Sequence, residues 1–499
     1  MLFPTFVFAT FFLIVLPVGW LLHSRPTAWK VFMLAASYVF YGWWDVRFVA
    51  LIVASTIGNQ ILADLVHRSA GRTRSRIVTV GVAFNLVTLG FFKYAGFFVD
   101  SANDTLESLG VGGDLPLLSI VLPVGISFFT FQALSYVLDV HRGTIEPARP
   151  LDFAVYLAFF PQLVAGPIVR ASEFLPQLEK RLNPRDIDLT RALVLIGAGL
   201  FKKVVIASYL ADAIVDDVFA FPERFSSLEV LVGVYAYAIQ IYADFSGYTD
   251  IAIGIALLLG FRFPPNFDRP YQAVSIRDFW RRWHMTLSRW LRDYLYISLG
   301  GNRGGAHRRD RNLLLTMVLG GLWHGAAWTF VIWGALHGFY MIAERHAEKA
   351  RMALGDRRPG GSDHGGDSGG AVRTVAETRA DGIVAPGLRT RILGRIRTFH
   401  LVCLGWIFFR AGSFDAALNV IERLFVAWGD ASPAVTGILV WTIAASLAAQ
   451  YLPRVGLTNL QSDLSRLPVW VQAVGFALWL LVIDRLGPEG VAPFIYFQF

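Results

Sequence analysis

Long apolar runs, each close to the ~20 residues needed to cross a hydrocarbon core, recur throughout this chain, and the polar loops between them alternate between basic and acidic. Charged residues make up only 16% of the sequence against 55% hydrophobic, where soluble domains carry about 25% charged residues. The expected fold class is therefore an all-α polytopic membrane protein. A net charge of +8 is compatible with nucleic-acid binding, but the basic residues cluster in short loops beside apolar spans. Topology accounts for them better than phosphate binding does.

The first run, 3–22, has no preceding Lys or Arg, and Arg25 and Lys30 follow it. It lacks the basic leader of a cleavable signal peptide, so it is expected to be retained as a span with the N-terminus outside. Spans at 31–43 and 48–65 lead to the basic HRSAGRTRSR, and a fourth at 77–99 leads out to Asp100, Asp104, Glu107 and Asp114. A fifth at 116–140 returns to HRGTIEPAR. Residues 151–170, LDFAVYLAFFPQLVAGPIVR, are broken by Pro161, Gln162, Gly166 and Pro167 and flanked by basic stretches on both ends. Such a segment reads as re-entrant, since irregular backbone at that depth must be buried in protein or line a cavity.

The span 190–210 leads out to Asp212, Asp216, Asp217 and Glu223, and 228–242 leads back into ADFSGYTDIAIGIALLLGFRFPPNFDRPY. Asp244 and Asp250 lie inside this apolar tract, where a charge is costly and a role is the default expectation. The plainer reading pairs each with an arginine such as Arg262 or Arg269. From Met341 to Thr398 there is no Phe, Trp or Tyr, and the middle reads GDRRPGGSDHGGDSGG. Too apolar-poor to offset ordering entropy, 346–398 is expected to be a disordered cytoplasmic insertion. His364 beside Asp363 and Asp367 reads as a solvated loop there, not as a metal site. The span 399–409, an amphipathic helix in FDAALNVIERLFVAW and spans at 435–452 and 468–482 complete about eleven crossings and leave the C-terminus outside. The lone cysteine, Cys403, excludes an intrachain disulfide and a thiolate metal cluster.

Two histidines in residues 275–338 carry the chemistry. In SIRDFWRRWHMTLSRWLRDYLY, Trp280, Trp283, Leu287, Trp290, Leu291 and Tyr294 share one helical face and the charges fall mainly elsewhere, so a helix lying in the membrane interface is expected, with His284 on its flank. Beyond the basic run His307–Arg311, the apolar runs 313–323 and 326–343 have basic flanks on both ends and should fold as a hairpin with His324 near its turn. Gly320, Gly321 and Gly325 permit close helix approach. A histidine at that depth is either a neutral imidazole bonded to a neighbouring helix or a functional group.

These elements, RDFWRRWHMTLSRWLRDYLYISLGGNR and LGGLWHGAAWTFVIWGALHG together with YADFSGYTDIAIG and FPQLVAGPIVR, strongly resemble the membrane-bound O-acyltransferase family, in the branch of alginate and peptidoglycan O-acetyltransferases and teichoic acid D-alanyl transferases. The resemblance spans roughly residues 116–411. It implies re-entrant and interfacial helices around a central tunnel, with His324 as the principal catalytic histidine and His284 as the second. It also implies a bacterial inner-membrane enzyme that takes acetyl from cytoplasmic acetyl-CoA, without a metal, for O-acetylation of an exported or cell-wall polysaccharide. An extracytoplasmic transferase or the polysaccharide itself would be the acceptor. The organisation expected is 1–115 as N-terminal spans, 116–345 as the catalytic core, 346–398 as the insertion, and 399–499 as C-terminal spans and tail.

The residues fit that chemistry. A neutral imidazole can take a hydroxyl's proton during attack on a thioester, and Arg281, Arg282, Arg289 and Arg292 are placed to meet the donor's phosphates. The ending F-x-Y-x-x-F, Phe494, Tyr496 and Phe499, resembles the tail of the small partner protein in teichoic acid D-alanylation. Tyr496 is either a transient acyl carrier or an aromatic anchor. Two rivals stand: D-alanyl or longer-acyl transfer from a carrier protein, and a proton-coupled transporter or flippase, against which the lack of an internal inverted repeat weighs.

Overall fold

In the computed structural model, residues 1–111, 115–116, 120–180, 183–355, 387–488 and 495 are described. Among them the regular structure is entirely helical. Six helices are long and apolar enough to cross a membrane, and Phe6–Leu22 and Gly437–Ala449 are shorter apolar ones. In chain order the main helices are α1 (Phe6–Leu22), α2 (Pro26–Gly42), α3 (Arg47–Arg68), α4 (Gly71–Ser108), α5 (Ile126–Arg142), α6 (Leu189–Ala220), α7 (Ser227–Leu258), α8 (Gly305–His324), α9 (Trp328–Gly355), α10 (Leu388–Arg410), α11 (Phe414–Val426), α12 (Gly437–Ala449) and α13 (Val469–Leu486). The outermost wear their apolar side chains outward. On α13, Trp470, Leu478 and Leu481 are exposed, as a helix facing hydrocarbon requires.

The interior is built where polar groups pair across helices. Asn85 on α4 donates from Nδ2 to Asn59 Oδ1 on α3 at 2.7 Å, and Arg74 at the start of α4 donates to the carbonyls of Val140 and His141 at 3.0 and 2.7 Å, closing the end of α5. The α5 helix begins only at Ile126, later than the apolar run suggests. Pro123 lacks an N–H, and Gly125 adopts φ +76° against the Leu163 carbonyl, where a Cβ would not fit.

The re-entrant expectation for 151–170 matches what is seen. Two short helices, Pro150–Ala158 and Phe160–Leu163, give way to irregular backbone that is almost wholly buried. Its polar groups are met internally: Tyr156 Oη donates to the Val169 carbonyl at 2.9 Å and Gln162 Nε2 to the Tyr156 carbonyl at 2.7 Å.

The acids in α7 correct one expectation. Asp250 pairs with Lys202 at 2.5 Å and Asp244 with Lys203, both lysines on α6, so neither acid is held by Arg262 or Arg269. Glycines make this possible: a Cβ on Gly199 would lie 2.6 Å from the Gly247 carbonyl, and one on Gly247 2.7 Å from that of Gly199. The two backbones touch, and the neighbouring lysines reach across.

Helices α8 and α9 form the expected hairpin. A Cβ on Gly321 would overlap the Phe330 carbonyl, and one on Gly334 the Met317 carbonyl, so the helices meet backbone to backbone. The stretch expected as a disordered insertion is helical at both described ends, since α9 runs to Gly355 and α10 starts at Leu388. His364 and its neighbours lie outside the described residues, as do Phe494, Tyr496 and Phe499. Ile495, which is described and buried, donates its N–H to Asp244 Oδ2 at 2.9 Å.

Candidate active site

The aromatic stretch before His284 is not one helix. It forms Ile276–Trp280 and Met285–Trp290, continued by a π-turn at Leu291–Tyr296, with a break between the first two pieces. At the break His284 holds a left-handed backbone, φ 42° and ψ 53°, which costs a non-glycine residue free energy and persists only where its surroundings enforce it.

Asn266 does the enforcing. Its carbonyl accepts from Met285 N at 2.9 Å, and its Oδ1 accepts from Thr286 N at 3.1 Å and Thr286 Oγ1 at 2.8 Å. Thr286 Oγ1 in turn accepts from Ile168 N in the re-entrant segment at 3.1 Å. Three separate stretches therefore converge on one backbone turn. Asn266→Ala leaves the buried Thr286 N–H without its acceptor and is expected to cost about 1–3 kcal/mol, with activity falling as His284 loses its orientation. Thermal unfolding in detergent alongside an acyl-transfer assay checks this, and an unchanged melting point would exclude the clamp.

His284 is fully buried, and its ring lies 4.7 Å from that of Phe245 and 6.1 Å from Trp323. Neither of its ring nitrogens has a hydrogen-bond partner among the described residues. His324 is the last residue of α8, 3% exposed, and its ring centroid stands 6.3 Å from that of His284. Trp323, Trp333 and Phe409 surround it at 5.1, 5.0 and 5.4 Å.

Cavities approach this pair from two directions. One of about 820 Å³, the size range of ligand sites, is lined on α8 by Arg309, Leu313, Thr316 and Met317, and by Trp280, Met285 and Leu291 beside His284. The second, about 130 Å³, is lined by Trp323 and His324 themselves with Lys93, Ser127, Trp44 and Val124. From Met317 to His324 is seven residues, or roughly 10 Å along the helix, so the two cavities meet α8 at different depths, with His324 in the wall of the smaller one. A further hollow of about 230 Å³ shares Trp44, Val124 and Val164 with the smaller one and reaches Met1 and Leu2.

Arg281, Arg289 and Arg292 line the large cavity, and Arg282 does not: its Nε is bonded to Asp278 at 2.9 Å. Sequence reasoning missed Arg277, Arg309 and Arg345, which join them. Arg289 stands 3.7 Å from Glu173 and Arg292 2.6 Å from Asp293, whereas Arg281 has no carboxylate within ion-pair distance among the described residues. Burial pushes the Asp293 carboxyl up, but the Arg292 and Arg170 guanidiniums bonded to it outweigh that and hold it below the usual carboxylate range. It therefore stays ionised near neutrality and ties the π-turn to the re-entrant segment.

Lys93 was also missed. It is a lone lysine in LVTLGFFKYAGFFV, and the rule that singled out Asp244 and Asp250 marks it equally.

Comparison with known proteins adds three findings. The model of the membrane-bound O-acyltransferase family matches residues 143–352. A "probable alginate O-acetylase" of Azotobacter vinelandii is 40% identical over 445 residues, covering 88% of this chain and 78% of the relative, and one of Pseudomonas putida is 37% identical over 497 residues, covering 94% of each. The peptidoglycan O-acetyltransferase of Helicobacter pylori is 36% identical over 458 residues, 84% of this chain and 79% of that protein.

Proposed function

The chain belongs to the membrane-bound O-acyltransferase family, and from that premise we propose that it moves an acetyl group from acetyl-CoA on the cytoplasmic side to a hydroxyl on the other, for O-acetylation of an exported, alginate-like polysaccharide. It is a membrane O-acyltransferase. The relatives' names support acetyl as the group and a polysaccharide as its destination. The observation that carries the two-sided reading is His324, 6.3 Å from His284 and lining the smaller of two cavities that meet α8 at different depths.

The thioester lies in the large basic cavity with its phosphates on the arginines, among them Arg281, which has no carboxylate within ion-pair distance among the described residues. His324 takes the proton of the acceptor hydroxyl as its oxygen attacks the thioester carbonyl. The C–S bond breaks, and the imidazolium returns its proton to the departing thiolate. His284, its ring 6.3 Å from that of His324, orients the thioester or donates to the developing oxyanion. The acceptor enters through the small cavity. The hollow reaching Met1 fits an N-terminus on the extracytoplasmic side of a bacterial inner membrane, where an extracytoplasmic transferase would collect the acetyl group.

Sidedness is the direct test. In proteoliposomes sorted for orientation, an impermeant acetyl-CoA should support transfer only when it faces the basic loops, with product appearing on the opposite side. Product on the donor side would overturn the reading. The arginines supply a graded check. Arg281→Ala is expected to raise the donor KM roughly tenfold, the loss of one charge-assisted contact, while Arg282→Ala, occupied by Asp278, changes it little.

A further inference from the structure

Helix α4 is interrupted by a π-turn at Gly90–Tyr94, the kind of irregularity that accumulates at functional sites. The turn points two consecutive side chains at the far end of α8. Lys93 Nζ donates to the carbonyls of Trp323 at 2.7 Å and His324 at 2.9 Å and to Ser127 Oγ at 3.4 Å, while Tyr94 Oη donates to the Leu322 carbonyl at 2.9 Å. A helix ends with carbonyls that have no partner within it, and inside a membrane no bulk water supplies one. Here three successive carbonyls are met by Lys93 and Tyr94, and an ammonium is the favoured charge at the negative end of the helix dipole. The next residue, Gly325, is already extended.

We propose that Lys93 is a positioning residue for His324: by holding the last two carbonyls of α8 it fixes the backbone that carries the imidazole in the wall of the small cavity. The inference rests on the assignment of His324 as the base. A plain helix cap would serve with any donor and leave the rate of chemistry alone. Lys93 is more closely engaged, because it lines the small cavity beside His324 and Ser127. It does not line the large cavity. Loss of Lys93 should therefore appear in kcat and not in the donor KM.

Lys93→Met, assayed in detergent after confirming a monodisperse protein, is expected to lower kcat on the order of 100-fold with the donor KM held within about twofold, and Lys93→Arg, which keeps the charge and the donors, to recover most of the rate. Tyr94→Phe, which removes one carbonyl contact and keeps the ring, should lower kcat by less, about tenfold, again at constant donor KM. It decides the matter if Lys93→Met does not fold. Unchanged kcat in Lys93→Met, or in Tyr94→Phe where the former is unfolded, overturns the proposal, as does a loss carried by the donor KM. Activity in His324→Ala overturns the assignment beneath it, whereas an inactive His324→Ala beside a fully active Lys93→Met removes only the role of Lys93.

Discussion

Replacing His324 by alanine is expected to lower acetyl transfer by about 10²- to 10⁴-fold, the usual contribution of a positioned general base. A hydroxyl is a poor nucleophile at neutral pH, and nothing else lining the small cavity is an obvious base, since Lys93 and Ser127 are engaged with each other and with the helix end. The fold should survive the change. The ring is held by aromatic faces, Trp323, Trp333 and Phe409, whose pairwise contacts are worth about 0.5–1.5 kcal/mol each. Purified His324→Ala should therefore elute and melt close to the parent while its turnover collapses. His284→Ala should lose less, and the double variant should be hardly worse than His324→Ala, because groups acting on one transition state are not additive. Turnover retained in His324→Ala would remove the base from the mechanism. A double variant worse by the product of the two single losses would separate the histidines.

The hairpin that carries His324, the re-entrant segment and most helices were legible because each depends on a local signal: hydropathy, flanking charge, or proline and glycine breaks. What was not legible came from contacts distant in sequence. The face shared by Trp280, Trp283, Leu287 and Trp290 fits one helix, and Asn266, twenty residues upstream of Thr286, holds the backbone left-handed at His284. Arg282 belongs to the same basic cluster as Arg281, yet its position one turn beyond Asp278 ties it to that carboxylate and away from the cavity. The acids of α7 were correctly marked as costly, but their lysine partners lie more than forty residues upstream on α6, a pairing no window along the chain reports.

Lys203→Met should produce the largest loss of stability of any single charge change in this protein, about 3–5 kcal/mol, the penalty for stranding a buried charge. The side chains of Lys203 and Asp244 are 3% and 5% exposed, so no bulk water replaces the ammonium. The neighbouring pair, Lys202 and Asp250, is 20% and 28% exposed and should lose much less. Thermal or denaturant unfolding in detergent separates the two, and Lys203→Met/Asp244→Asn should recover most of the loss, since it removes both charges instead of one. If Lys203→Met melted with the parent, the pair would be incidental. The consequence reaches the active site through α7: Asp244 is followed directly by Phe245, whose ring lies against His284, and its carboxylate also receives the N–H of Ile495. The pair can form only because Gly199 and Gly247 let α6 and α7 touch. Enlarging either glycine should therefore weaken the ion pair, loosen Ile495 and displace the wall behind His284 together, so that stability and activity fall in step.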